Sequence, residues 1–319
     1  MPRNTLLALY LAAIETAEGV DQVPTATANA IALAASLDPE TDFAFRNPRD
    51  TLVRGVDINA YPPLPPKGEI YQWAKTAWFR GVTGAIASGN AIELDPWLQS
   101  AGFAVTYSGA AGSEQAAYTL ASTGLKTMTE YMYVDSILRR GVGARSEIGL
   151  SFDVGGPVVV STTSQGIFAG EADVAVPASP VFKTTVPPVG TDMTTFTVDG
   201  FATGIIRKFS FATGNSITRR DGVKATGGVA GFSLDSRKAT WEVVLEEPTI
   251  TAKDFKALIR TQADVAISWL LGGTKYNMLG FDASQAKVDS VKPSSDNGNA
   301  IITIGGGLYG AAPVTLTVK

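Results

Sequence analysis

Cysteine and histidine are both absent from the sequence. Their absence removes the Ser-His-Asp triad, cysteine nucleophiles, imidazole acid–base chemistry and zinc sites built on either residue. Disulfides are impossible, so the redox compartment leaves no trace in the chain. An enzyme is not expected, nor is any metal or cofactor. Charge is also sparse: 26 basic against 30 acidic side chains give a formal net charge of −4. That balance offers no electrostatic footprint for gripping nucleic acid. No apolar run reaches the roughly 18–20 residues of a membrane span. Leu6 to Ile14, after Arg3, has the outline of a leader's apolar segment, but Glu15 and Glu18 follow at once without a clean small-residue cleavage site. A buried strand or short helix is expected there, and, from the start at Met1, no removed leader.

What the chain does contain is glycine (33 residues), with abundant alanine, threonine, serine and valine. That mix suits short strands and turns better than long charged helices. A length of 319 residues fits two domains or one large all-β domain, with enough core to need no staple. Period-two alternation or apolar runs predict strands at Ala30 to Leu37, Asp42 to Phe45, Gly68 to Phe79, Ala117 to Ala121, Met128 to Leu138, Arg145 to Val154 and Val158 to Phe168. Further strands are predicted at Thr195 to Val198, Ile205 to Phe211, Ala239 to Leu245, Val265 to Leu271, Lys275 to Leu279, Ala300 to Ile304 and Val314 to Val318. Two helices are expected. Leu94 to Ala101 has Asp95 as cap, Pro96 in its first turn and Gly102 at its end, and Thr251 to Thr261 places Phe255, Leu258 and Ile259 on one face. Tyr61 to Gly68 is too proline-dense for either element and reads as a stiff extended loop.

The second half echoes the first. Phe43-Ala44-Phe45 matches Phe209-Ser210-Phe211, and Lys75 to Trp78 matches Lys238 to Trp241. The helix with Trp97 matches the helix with Phe255, Tyr131 to Val134 matches Ile267 to Leu271, and Gly166-Ile167-Phe168 matches Gly307-Leu308-Tyr309. The offset stays at roughly 140–165 residues and the order is kept. The organisation expected is an N-terminal arm over 1–29, a first β domain over 30–176, a proline-rich linker over 177–190 and a second β domain over 191–319.

Chemistry finds little support. Glu246 and Glu247 are neighbours on a strand end and point to opposite faces. Asp38, Glu40 and Asp42 lack the spacing of a calcium loop. Gly305 to Gly310 fits G-x-G-x-x-G, but Pro313 and the following Val-Thr-Leu-Thr run call for a strand where a dinucleotide site needs a helix. Arg139-Arg140 and Arg219-Arg220 have no aromatic platform beside them, which makes interface or hairpin-tip contacts the better reading.

Several ordered motifs carry a resemblance. Ile14-Glu15-Thr16, Glu18-Gly19-Val20-Asp21, Pro24-Thr25 and Asn29-Ala30-Ile31 form one set. Pro96-Trp97-Leu98 to Ala101-Gly102-Phe103, then Tyr133-Val134-Asp135 and Gly143-Ala144-Arg145, form the others. Together they resemble the tail tube (major tail) proteins of long-tailed phages, with Ser136 and Ser146 replacing turn glycines of that pattern. The resemblance implies a mainly β chain: two tandem sandwich or barrel folds of packed antiparallel sheets, each with one flanking helix. It implies a virion structural protein, made in the host cytoplasm, whose rings stack into a channel for DNA ejection. The ring would be a homotrimer posing as a hexamer if each chain carries two folds, or a homohexamer if it carries one. Partners implied are further copies of the chain, a tape measure protein, a tail terminator and tail-tip proteins, with DNA passing the lumen without specific binding and no membrane contact. Candidate contacts between subunits or rings are Glu15, Glu18, Asp21, Asp135, Arg139, Arg140, Arg145, Arg219 and Arg220. The other reading is a receptor- or carbohydrate-binding adhesin or tail-tip protein, with Trp73, Trp78, Trp97, Trp241 and Trp269 as sugar-stacking candidates.

Overall fold

The computed structural model describes residues 8–34, 69–134, 136–223, 225, 228–310 and 312–319. Its first half contains β1 (Ala8–Ile14), β2 (Ile70–Trp78), α1 (Asp95–Ser100), β3 (Phe103–Ser108), β4 (Gln115–Leu120), β5 (Met128–Val134), β6 (Ile137–Asp153) and β7 (Val159–Asp173). The second half contains β8 (Met193–Val198), β9 (Ile206–Ala212), β10 (Asn215–Asp221), β11 (Val229–Arg237), β12 (Thr240–Glu246), α2 (Phe255–Thr261), β13 (Val265–Leu271), β14 (Leu279–Ala286), β15 (Ser290–Asp296), β16 (Asn299–Gly307) and β17 (Thr315–Val318).

The protein is mainly β, in antiparallel sheets packed face to face. A nine-stranded sheet runs β1-β5-β6-β9-β12-β16-β15, with β7 and then β2 joined to β6. A six-stranded sheet runs β3-β4-β17-β14-β13-β8, and β10-β11 is a separate hairpin. Alternation explains the layers. In β2, Tyr71, Trp73, Lys75 and Ala77 point inward while Gln72, Ala74 and Trp78 face out. An aromatic knot joins the sheets: Phe209 of the large sheet lies 5.4 Å from Trp269 and 5.1 Å from Phe281 of the small one, centroid to centroid. Such edge-on packing adds about 0.5–1.5 kcal/mol per pair beyond area burial.

Both sheets cross the middle of the chain. β6 pairs β9 from Gly149↔Ala212 to Asp153↔Lys208, and β4 pairs β17 from Ala116↔Val318 to Thr119↔Thr315. The halves therefore share their sheets. Element order does repeat: β2, α1 and the hairpin β3–β4 correspond in sequence to β12, α2 and the hairpin β13–β14. Two residue matches do not carry through. Trp78 is 41% exposed whereas Trp241 is buried, and Tyr131 to Val134 lie in the large sheet whereas Ile267 to Leu271 lie in the small one.

Other expectations need correction. Met128 to Leu138 is not one strand: β5 ends at Val134 and β6 begins at Ile137, with Ser136 at φ 63 in the turn between them. Arg145 lies inside the 17-residue β6, not at its start. Ala30 and Leu33 make only isolated bridges, to Leu11 and Ala77. Asp95 is the first helical residue and not the cap; its carboxylate accepts from Gln99 Nε2 (2.8 Å) and the Tyr118 hydroxyl (2.9 Å) instead. The second helix is shorter than expected, starting at Phe255, with Asp254 accepting from the Ala257 N–H as its cap (3.0 Å). Gly305 to Gly307 end β16, as the strand reading of that glycine run required. Phe43 to Phe45, the acidic turn at Asp38 to Asp42 and the proline loop at Tyr61 to Gly68 lie outside the described residues.

The arm and the proline-rich segment are both tied down. The apolar stretch after Arg3 contributes β1, paired to β5 along its whole length. The other edge of β1 is met by Asn29 to Ile31, through Ala12 N–H to Asn29 O and Ile31 N–H to Tyr10 O (3.1 Å each). Residues 177–190 run as a strap across the first half: Val181 N–H reaches Ala26 O (2.9 Å) and the Thr185 hydroxyl reaches Gly81 O (2.9 Å). Arm and strap cover a second, smaller core of Leu9, Leu11, Ala26, Ala30, Tyr131, Tyr133 and Leu138, with Val176 and Phe182 packed on it. β5 is thereby covered on both faces, which is why its sequence shows no alternation.

Candidate assembly surfaces

Two features stand out: a junction of the arm with two hairpins, and the outward face of the large sheet. The junction is built on Glu15, which is 2% exposed. Its Oε1 accepts from the Gly143 N–H (2.7 Å) and the Thr129 hydroxyl (3.0 Å). Its Oε2 accepts from the Thr127 hydroxyl (2.6 Å) and the Gly19 N–H (2.7 Å). Four donors satisfy a carboxylate that burial would otherwise make costly. Gly143 has φ +65 and sits where β6 slips register against β7 between Val142 and Arg145. A residue with little steric restriction is needed at that bulge.

Four of the nine candidate contact residues, Glu15, Glu18, Arg145 and Arg220, meet at this point, and Asp21 and Arg140 meet at Tyr131. Glu18 pairs with Arg220 of β10. Arg145 sends its Nε–H to Phe232 O of β11 (3.4 Å); burial lowers its pKa, against the opposing pull of Glu18 and Glu15. Asp21 accepts from the Tyr131 hydroxyl (2.6 Å), and burial followed by that bond holds the phenol well above its ordinary value. Arg140 acts on the same phenol as a nearby positive charge. Arg139 pairs across strands with Glu171 (3.0 Å), and Arg219 with Asp221 (2.6 Å). Asp135 lies outside the described residues. The sequence names these residues as contacts between copies, without their partners in the chain: Thr127, Thr129 and Phe232 carry no local signal of the role, and Gly143 enters only through the Gly143-Ala144-Arg145 motif.

The second feature had no sequence signal at all. The pairing registers align residues in rows across the outward face of the large sheet. One row runs Thr76, Ser161, Gly149, Ala212, Thr240 and Gly307. The next runs Trp78, Val159, Ser151, Ser210, Glu242, Gly305 and Ser290 over seven strands. A flanking row holds Asp153, Lys208, Val244, Thr303 and Lys292, and another Ala74, Thr163 and Glu147. Apart from Trp78, Val159, Val244 and the charged residues, the side chains are short, and three carboxylates are set against two ammonium groups. Such a face neither buries a partner deeply nor concentrates charge. Among the described residues, β15, β3 and β8 each pair on one side only, leaving open edges.

Among the described residues, no group of three or more Asp and Glu is placed to hold a metal ion, and no helix is long and apolar enough to cross a membrane. Glu93 and Asp95 line one cleft and burial raises both carboxyls. Each is already engaged, Glu93 by the Lys183 and Ala32 N–H groups and Asp95 by Gln99 and Tyr118. Of the five tryptophans, Trp73, Trp97, Trp241 and Trp269 are buried, so Trp78 alone offers an exposed ring for stacking. No protein-family model matches the chain, and no curated protein matches it.

Proposed function

We propose that this chain is the structural subunit of a phage tail tube, in which copies form rings and the rings stack into a channel for DNA. The observation that carries the reading is the outward face of the large sheet: seven strands wide, surfaced largely by Ser, Thr, Gly and Ala with Trp78 at one edge, and with three carboxylates against two amines along its aligned rows. A polyanion moving along such a wall meets no cluster of cations to hold it. The open strand edges suit joining of sheets from copy to copy, which satisfies backbone groups left unpaired in one chain. The repeated order of strand, helix and hairpin favours a trimeric ring of approximate sixfold symmetry over a homohexamer. Tape measure, terminator and tail-tip proteins are the further partners of this reading, and its location is the virion tail. The junction at Glu15, Glu18, Arg145 and Arg220 joins arm to hairpins within the chain, and its exposed rim at Arg220 and Asp221 is our candidate for ring-to-ring contact.

Sedimentation velocity over a concentration series tests the proposal. Growth from single chains to a discrete ring and then to stacked rings is expected. A single-chain species at every concentration, also beside the tail partners, would sink it. The adhesin reading keeps only Trp78 as an exposed stacking ring, and glycan-array binding abolished by Trp78→Ala would revive it.

A further inference from the structure

Inside the first half lies a charged pair that assembly does not use. Lys75 of β2 and Glu130 of β5 are in direct contact, and both side chains are wholly excluded from solvent. Aromatic rings enclose the amine: Nζ lies 4.8 Å from the Tyr10 ring centre, 5.8 Å from Trp73 and 5.9 Å from Trp97. Hydroxyls surround the carboxylate. Tyr10 donates to Oε1, and the Tyr71 and Ser164 hydroxyls both donate to Oε2 at 2.7 Å. Ser164 also accepts from Lys75 Nζ (2.7 Å).

We propose that Lys75 and Glu130 condense into an intramolecular amide, a covalent cross-link between β2 and β5. The ammonium passes one proton to Oε1 in the contact already made. The freed Nζ lone pair attacks Cδ, and the negative charge that develops on Oε2 meets the hydroxyls of Tyr71 and Ser164, as in an oxyanion hole. The Cδ–Oε1 bond then breaks, and the hydroxyl leaves as water with a second proton from Nζ. One hydrogen stays on the amide nitrogen, so an ammonium and a carboxylate give one amide and one water, with no oxidant or co-reactant.

Three features favour the step. Burial pushes the Lys75 amine below its ordinary value, against the Glu130 charge that raises it, which favours the neutral nucleophile. Fixed neighbours react with effective concentrations on the order of 10⁵ M or more, enough to offset the pull of bulk water on an amide. The product also removes two charges from a site where each is costly to keep. The bond would close a segment of 55 residues that includes α1 and the β3–β4 hairpin, in a chain that has no cysteine to do so.

Intact-mass measurement of the purified, denatured full chain, with tryptic mapping, tests this. The expected result is a mass one water below that of the sequence, with residues 68–80 joined to residues 127–139 through Lys75 and Glu130 as one branched peptide. A full sequence mass, or a deficit mapped to other residues, overturns the proposal. Lys75→Met is expected to restore the full mass of its own sequence, and because the reading is made on unfolded chain that variant need not fold.

Discussion

Gly143 gives its backbone N–H to a carboxylate oxygen of Glu15 over 2.7 Å, across 128 positions of sequence. The bond joins the turn that follows β1 to the bulge at which β6 changes register. Glu15→Ala leaves the buried Gly143 N–H and the Thr127 and Thr129 hydroxyls without their acceptor, together with the Gly19 N–H nearer the surface. A loss of about 3 kcal/mol or more is expected, read as a lower urea midpoint at an unchanged slope. Glu15→Gln keeps one acceptor oxygen and is expected to lose about half as much. An unchanged midpoint for the alanine variant would remove the junction from the account.

Gly141 and Gly166 hold the ring of Tyr71 between them. A Cβ at Gly141 would fall 2.2 Å from Tyr71 Cε1, and one at Gly166 would fall 2.8 Å from it. Gly141→Ala therefore displaces the ring whose hydroxyl holds Glu130. The expected cost is about 1–3 kcal/mol, measured by chemical denaturation. Wild-type stability in that variant would mean that the ring has room to move.

Alkaline pH tests the buried phenols. Burial holds Tyr10, Tyr71 and Tyr118 well above the ordinary value of 10.0, with the nearby charge of Glu130 or Asp95 adding to it. Burial and then Asp95 push Tyr107 up to about 12. Above pH 10 the unfolded chain releases protons that the folded chain keeps, so folding binds protons and stability falls as pH rises. The contribution of these groups is whole below that pH and is lost as pH climbs toward the folded values. Phenolate absorbance of the buried tyrosines is expected to appear together with loss of the β circular dichroism signal. Its gradual appearance in folded protein would count against the burial described here.

The sheet face carries a prediction about DNA. Glu147→Lys with Glu242→Lys adds cations to a surface that has few. Gel retardation at low salt is expected to change from no binding to weak, salt-sensitive and sequence-independent binding. Binding by the unaltered protein, of equal strength, would conflict with a wall along which the duplex slides.

Much of the β character was legible because strands with one covered face alternate, as β2 does through Tyr71, Trp73, Lys75 and Ala77. Where both faces are covered the pattern vanishes, and β5 merged with the start of β6 in the sequence reading. The β10–β11 hairpin was missed because Asn215 to Asp221 is polar and packs little of its own surface. Residues 177–190 have the composition of a linker, yet Val181 and Thr185 bond to Ala26 and Gly81. Contacts to partners that distant leave no mark in local composition. Glu15, Glu18, Arg145 and Arg220 are expected from the sequence as contacts between copies, and their meeting within one chain leaves no local mark. The rows across the large sheet depend on register, which alternation alone does not reveal.

The tube itself is tested most directly by negative-stain electron microscopy of the concentrated protein, with end-on class averages and chain stoichiometry per ring. Hollow rings of three chains with approximate sixfold symmetry, stacked into tubes, are expected. Particles of single-chain size without a central channel, also in the presence of the tail partners, would refute the assembly account.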